Sequence, residues 1–327
     1  MLRHAPMKSM YHTIGCFAIT TKACHVEEDM VKVGIDLGGT KIEVVVLGED
    51  NRELFRRRVA TPQGDYWAII STIAELVKTA ERKSGERGTI GIGTPGSISL
   101  VNGLLRNSNS TCLNGQPLYE DLQRILARPL RMDNDANCFA LSEALDGSAT
   151  GKCVVFGVIV GTGTGGGIVV NGMILKGVNS IGGEWGHNPL PWPRDDEMNG
   201  PDCYCGKQGC IETYLSGPGM SNDHQRVTRT KLSSEAIPIG ASRGDAACED
   251  TMRRYEDRMA RSLAHVINIL DPDIIVLGGG MSNLTRLYEN VPRLWVNYVF
   301  SDWVDTLLVP PKHGDASGVR GAALLWG

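Results

Sequence analysis

No stretch of the sequence approaches the roughly 18–20 consecutive apolar residues that a bilayer-spanning helix needs, which excludes an integral membrane protein. Basic charge is not in excess either: 33 Lys and Arg residues stand against 37 Asp and Glu residues, for a formal net charge of −4. This balance does not predict binding to nucleic acid or to an anionic membrane. With 42% hydrophobic and 21% charged residues, the chain has the composition of a globular protein, and a small-molecule partner is favoured.

Residues 1–30 lack the parts of a secretory signal peptide. The mildly apolar segment 14–20 is interrupted by Gly15, and Lys22 stands where a cleavage site needs small residues. A β-branched run begins at Val31, so we predict that residues 1–30 are an extension outside the fold. Nine cysteines, an odd number in a chain without a secretory signal, favour a reducing compartment and predict a cytoplasmic protein.

The order of predicted elements indicates an internal duplication. At roughly 100–200 residues per domain, the length of 327 residues predicts two domains and therefore a cleft. Each half opens with a glycine-turned hairpin and continues with an amphipathic helix and a short buried strand, which predicts an α/β fold with mixed sheets. These elements are predicted at 32–36, 42–47, 66–83 and 89–93 in the first half, and at 154–160, 167–170, 255–270 and 274–277 in the second. Residues 317–326 predict a closing helix.

The two glycine turns do not fit the common nucleotide motifs. Gly161, Gly163 and Gly166 satisfy G-x-G-x-x-G, but residues 168–172 have strand composition where a dinucleotide-binding motif needs a helix, and neither turn matches a Walker loop. Two hypotheses stay open: the glycines only permit tight turns, or their bare N–H groups face an anion. Asp36, just before the first turn, is placed to hold hydrated Mg²⁺ beside phosphates.

Asp135 precedes a good helical segment that Gly147 ends. A carboxylate at this place is commonly an N-cap, but it can also act as a general base that accepts a proton from an attacking hydroxyl. The two interpretations are compatible if Asn134 caps the helix and Asp135 points inward.

Three cysteines in one short loop and an upstream histidine offer a tetrahedral Zn²⁺ site. The candidate ligands are His187, Cys203, Cys205 and Cys210. Chance clustering of buried thiols stays open, because C-x-C is tighter than the usual spacing. Four protein ligands would close the site, so the zinc would be structural and would hold the loop that carries Glu184 and Glu212. The second ring nitrogen of His187 could then reach a substrate hydroxyl.

Five segments of the chain resemble the ROK group, which comprises repressors, unassigned reading frames and sugar kinases. They are Ile35-Asp36-Leu37-Gly38-Gly39-Thr40-Lys41, Asn134-Asp135-Ala136-Asn137, Gly161-Thr162-Gly163, Gly183-Glu184-Trp185-Gly186-His187 and Cys203-Tyr204-Cys205-Gly206-Lys207-Gln208-Gly209-Cys210-Ile211-Glu212. The resemblance covers residues 31–327 and implies the actin-like ATPase (ribonuclease H-like) fold. It implies one domain from residues 31–144 with 313–327, and a second from residues 145–312 that carries the zinc loop.

The resemblance also implies roles for individual residues in ATP- and Mg²⁺-dependent phosphorylation of a hexose hydroxyl by a homodimer. Asp135 would be the catalytic base. The implied nucleotide-binding residues are Asp36, Gly38, Gly39, Thr40, Lys41, Gly161, Thr162, Gly163, Gly278, Gly279 and Gly280. The implied sugar-binding residues are Asn109, Asn134, Asp135, Glu184, His187 and Glu212, and His187 with the three cysteines would hold zinc.

Within this family the sequence is most similar to bacterial fructokinases, through residues 107–117 and 185–192, so fructose is the expected sugar. Cys112 stands where that pattern has an aromatic residue. Residues 134–144 are also similar to N-acetylglucosamine kinases, and that sugar, glucose and N-acetylmannosamine are the alternatives. A sugar-responsive DNA-binding regulator is a different class, and residues 1–30 lack the helical periodicity of its recognition segment.

Overall fold

The computed structural model of the chain describes residues 31–108 and 110–327. The predicted extension at 1–30 and the predicted sugar ligand Asn109 therefore lie outside the described residues. Within the described ranges, no helix combines the length and apolarity that crossing a membrane would need.

The first half of the chain forms a five-stranded mixed sheet. Its strands are β1 (Lys32–Leu37), β2 (Lys41–Leu47), β3 (Glu53–Ala60), β4 (Thr89–Thr94) and β7 (Arg131–Asn134), while β5 (Ser97–Ile98) and β6 (Leu105–Arg106) form a separate small hairpin. The strand order is β3-β2-β1-β4-β7, with antiparallel pairs from β3 to β1 and parallel pairs from β1 to β7. The chain therefore leaves β1, β4 and β7 at the same edge of the sheet.

A second sheet repeats this layout. Its strands are β8 (Val154–Val160), β9 (Thr164–Val170), β10 (Met173–Ile174), β11 (Ile274–Gly278) and β12 (Leu307–Val309). The order is β10-β9-β8-β11-β12, again with antiparallel pairs up to β8 and parallel pairs beyond it. The predicted duplication and the mixed sheets are confirmed.

The helices accompany the two sheets. They are α1 (Tyr66–Ser84), α2 (Leu118–Leu126), α3 (Asp135–Asp146), α4 (Glu212–Leu215), α5 (Gly217–Thr228), α6 (Ala236–Ser242), α7 (Ala246–Leu270), α8 (Arg286–Trp295) and α9 (Ser317–Ala323). The prediction placed the start of α7 at Tyr255, but the helix begins at Ala246, where Asp245 caps it by accepting a hydrogen bond from Cys248 N. The predicted apolar face continues upstream through Cys248 and Met252, both buried.

The second glycine turn is shorter than the sequence predicts. Gly165 and Gly166 belong to β9, where they pair with Ile159 and Val158. The glycines of this strand face closely packed backbone: a Cβ atom on the next residue, Gly167, would lie 2.6 Å from the carbonyl oxygen of Ala136. The turn itself is therefore reduced to residues 161–163.

Helices α3 and α9 lie between the two sheets. One buried cluster joins side chains of β2, α3, β8, β11 and α9. The two helices approach through Gly321, where a Cβ atom would lie 1.6 Å from the carbonyl oxygen of Cys138, and α9 approaches β1 at Gly34. The C-terminal helix thus packs on the first sheet. The division into domains, with residues 313–327 in the first, stays a prediction.

Candidate active site

A cavity of about 210 Å³ lies at the strand edges of the two halves. It is lined by Asp36, Leu37, Gly38, Gly39, Pro95, Asp135, Phe139, Ile159, Gly279, Gly314, Asp315 and Gly318. Most of the lining residues lie at or just after the ends of β1, β4, β7 and β11, which is where α/β sheets place their ligands, and the others come from α3, β8 and the region around the start of α9. The structure therefore brings together the first glycine turn, Asp36, Asp135 and Gly279.

Asn134 and Asp135 divide the two roles that the sequence left open. The side-chain oxygen of Asn134 caps α3 by accepting a hydrogen bond from Ala136 N at 2.8 Å, and its amide donates to the Gly96 carbonyl at 3.2 Å. Asp135 is the first residue of α3 and lines the cavity. Its Oδ1 also accepts from Ala136 N at 2.8 Å, which orients the carboxylate. Both side-chain groups of Asn134 are engaged within the protein, so the structure gives this residue a structural task beside its predicted contact with sugar.

Two carboxyl groups in the cavity have raised pKa values. The pKa of Asp135 is raised to about 6: burial is the main cause, the hydrogen bond from Ala136 N opposes the shift, and the negative charge of Glu184 adds to it. Burial also raises the pKa of Asp36 to about 7, with contributions from the charges of Asp135 and Glu43. A base whose pKa lies near neutrality is suited to take a proton from a hydroxyl group and to release it afterwards.

The raised pKa of Asp135 predicts an acid limb in the activity profile. Because only the ionised carboxylate accepts a proton, kcat/KM should rise through pH 6 and fall about tenfold per pH unit below it. Folding favours the protonated form of this carboxyl, so its contribution to stability is present at acid pH and is lost as pH rises through about 6. Initial rates measured between pH 5 and 8 test the acid limb, and a flat activity profile across pH 6 would contradict it.

The first glycine turn and Asp36 could hold a nucleotide with Mg²⁺. Gly38 N–H closes the turn on the Lys41 carbonyl at 2.9 Å, and Thr61 donates its hydroxyl to the Gly38 carbonyl at 2.8 Å. Asp36 supplies the carboxylate oxygens that Mg²⁺ prefers, so this residue fits the ion. Asp315, which the sequence analysis missed, lines the same cavity and lies 3.8 Å from Lys41 Nζ.

The second glycine turn lies beside this cavity. Its Gly161 carbonyl accepts from Gly217 N at 2.8 Å, and Glu212 accepts a hydrogen bond from Thr164 N, at 2.8 Å, just after the turn. A Cβ atom on Gly161 would lie 4.0 Å from Gly280 N, so the turn adjoins the glycines after β11. Among the described residues that line the cavity, neither this turn nor Gly278 and Gly280 is included. Their contact with nucleotide stays a prediction.

The backbone conformation requires a glycine at position 279 but not at position 280. Gly279 has φ of +79°, and a Cβ atom there would lie 2.4 Å from the Val160 carbonyl oxygen, but a Cβ atom on Gly280 meets no described atom within 4 Å. We expect Gly279→Ala to lower the free energy of unfolding by about 2–4 kcal/mol, and Gly280→Ala to change it by less than about 0.5 kcal/mol. Urea denaturation measures both, and equal losses would contradict this role for Gly279.

The predicted zinc ligands lie together. The ligand atoms of His187, Cys203, Cys205 and Cys210 are all within 4.8 Å of one another. Cys203 Sγ is 3.6 Å from His187 Nδ1, and the sulfurs of Cys205 and Cys210 are 3.6 Å apart. A tetrahedral zinc site with bonds of about 2.0–2.3 Å separates its ligands by roughly 3.5–3.8 Å, so three thiols and an imidazole in this arrangement fit Zn²⁺.

Tyr204 is a residue that the sequence analysis missed. Its hydroxyl group lies 3.0 Å from His187 Nε2, the nitrogen expected to meet a substrate hydroxyl, and the two rings pack edge to face at 5.1 Å. Burial and the negative charges of Glu212 and Glu184 raise the pKa of the same hydroxyl group. The sequence signal that could have identified this residue is its position between two cysteines of the predicted zinc loop.

Comparison with known proteins gives the family. The model of the ROK family matches residues 32–327. The chain is 40% identical over 301 residues to an N-acetyl-D-glucosamine kinase of Salmonella paratyphi A, covering 89% of this chain and 98% of that protein.

Among solved structures, the ROK hexokinase of Thermus thermophilus is similar at a TM-score of 0.81 and 32% identity, covering 90% of this chain and 97% of that one. A ROK family glucokinase of Streptomyces griseus, solved with glucose and AMPPNP, is similar at a TM-score of 0.72 and 27% identity, with 90% and 98% coverage. The fold of the described chain is accordingly the actin-like ATPase fold. On the family match and these similarities, the chain belongs to the ROK family.

Proposed function

We propose that this chain is an ATP- and Mg²⁺-dependent sugar kinase whose substrate is N-acetylglucosamine. The observation that carries the kinase activity is the single cavity that joins Asp135 to the first glycine turn, Asp36 and Gly279. A carboxylate base and a glycine turn in one cavity are parts that phosphoryl transfer to a hydroxyl needs.

In the proposed reaction, Asp135 accepts the proton of a sugar hydroxyl as that oxygen attacks the γ-phosphorus of ATP, and ADP leaves. Backbone N–H groups at the glycine turns stabilise charge on the transferred phosphoryl group. Asp36 would hold Mg²⁺ with Asp135 nearby, and the bound ion would neutralise phosphate charge. Catalysis is then mostly positioning and exclusion of water.

The sugar is proposed to lie between Asp135 and the zinc loop. Glu184, whose negative charge raises the pKa of Asp135, would bind hydroxyl groups of the sugar, and so would His187. Glu212 would bind the sugar through the carboxylate oxygen that accepts no hydrogen bond from Thr164. His187, Cys203, Cys205 and Cys210 would hold a structural zinc ion that fixes this loop.

N-acetylglucosamine takes precedence over fructose because of the relatives. The expectation of fructose rested on residues 107–117 and 185–192, whereas proteins 37–40% identical over most of the chain are named N-acetyl-D-glucosamine kinases. Those matches extend over most of the chain, whereas the expectation of fructose depended on two short segments, so the matches decide the proposed sugar.

A coupled assay of ADP release tests the proposal with N-acetylglucosamine, N-acetylmannosamine, glucose, mannose and fructose. We expect the highest kcat/KM with N-acetylglucosamine. A higher value with fructose would overturn the choice of sugar and leave the kinase activity standing. Phosphorylation of no sugar would overturn the kinase activity and favour a sugar sensor.

A further inference from the structure

We propose that Lys176 is a positioning residue for the sugar site. By pairing with Asp133 across the two halves, its ammonium group holds the loop that carries Glu184 and His187 against the start of α3. This inference rests on the proposed function, because it concerns the residues that would bind the sugar.

Asp133 is the centre of the contact. It is the residue before Asn134 at the end of β7, and its side chain is only 6% exposed. Its Oδ2 accepts from Lys176 Nζ at 2.7 Å, while its Oδ1 accepts from Asn134 N at 2.9 Å and Asn137 Nδ2 at 2.8 Å. The carboxylate that receives Lys176 therefore also ties down the beginning of α3, two residues from Asp135.

Lys176 is the residue that connects this carboxylate to the sugar loop. Leu175 N donates to the Ile168 carbonyl, which anchors the chain on β9, and Gly182 N donates to the Lys176 carbonyl at 3.0 Å. Gly183 then packs on Gly166, where a Cβ atom would lie 2.3 Å from the Gly166 oxygen. The loop from 176 to 184 is thus closed at its base, and the Lys176 side chain extends from that base to the first half.

This pair differs from the ion pairs of the protein surface. In the pair of Lys78 with Glu75, both side chains are at least 70% exposed, so water competes for both charges. The Lys176 side chain is itself 53% exposed, but Asp133 is buried, so removal of its cation would leave a poorly solvated charge beside the site. Lys78 therefore supplies a matched control.

We expect Lys176→Met to raise the KM for sugar about tenfold and to leave the KM for ATP unchanged. Lys176→Arg should restore the sugar KM. In a double-mutant cycle with Asp133→Asn, the effect of Lys176→Met should largely disappear, because its partner charge is already gone. Lys78→Met should match the wild type in every measurement.

An unchanged sugar KM, an equal rise in both KM values, or additive effects in the cycle would overturn the proposal. If the wild-type protein phosphorylates no sugar, the proposed function fails, and calorimetric titration with the same sugars takes over. A sugar affinity equal in wild type and Lys176→Met, or the absence of any sugar binding, would then overturn the role of Lys176.

Discussion

Replacing Asp135 by asparagine is expected to lower kcat by about 10²- to 10⁴-fold, because the amide cannot accept the proton of the attacking hydroxyl. The substitution keeps the size of the side chain and an oxygen that can accept from Ala136 N. The N-cap of α3 belongs to Asn134, so the fold should survive. Steady-state rates with saturating ATP and sugar measure the effect, and thermal unfolding checks the fold.

Asn134→Ala is the contrasting variant. It removes the cap and should lower the free energy of unfolding by about 1 kcal/mol, whereas Asp135→Asn should not lower it, because burial disfavours the charged form of Asp135. Near-full turnover by Asp135→Asn would exclude this carboxylate as the base.

Replacing Cys210 by serine is expected to abolish zinc binding and to weaken sugar binding by about 10- to 100-fold. Cys210 is buried, its sulfur lies 3.6 Å from that of Cys205, and loss of one thiolate breaks the closed set of four ligands. Without the ion, the segment that positions Glu184, His187 and Glu212 loses its cross-link. Metal analysis of purified protein and the KM for sugar are the measurements.

Cys248→Ser is the matched control for this experiment. Cys248 is also buried, but it lies on α7 outside the ligand cluster, so zinc content should be retained. Purified wild-type protein without zinc would show that the cluster is a group of neighbouring thiols instead of a metal site.

Local elements were predictable where local chemistry decides them. The first glycine-turned hairpin, β8, α1 and β11 lie within one or two residues of their predicted bounds, because apolar alternation, helical periodicity and glycine turns act over short distances. The start of α7 and the start of β9 were misplaced. At β9, Gly165 and Gly166 are typical of turns in isolation, but Gly166 packs closely against Gly183 and Phe156, and this contact depends on distant residues.

The candidate site was predictable in its residues but not in their partners. Asp135, the first turn and the zinc ligands have motifs with their own chemistry. Tyr204 on His187, Asp315 beside Lys41 and Lys176 on Asp133 have none, because each acts through a contact between segments far apart in the chain or across a loop.

The amino-acid order alone determined the duplicated α/β pattern, the glycine turns and the clustering of thiols, since each depends on neighbours in the chain. Only the tertiary structure decided that Asn134 caps the helix while Asp135 lines the cavity. It also decided that Glu212 accepts a hydrogen bond from Thr164 N, just after the second turn, and that Lys176 pairs with Asp133. The reason is physical: the burial and charge that perturb Asp135 and fix these pairs come from strand ends that meet only after both sheets have packed around α3 and α9.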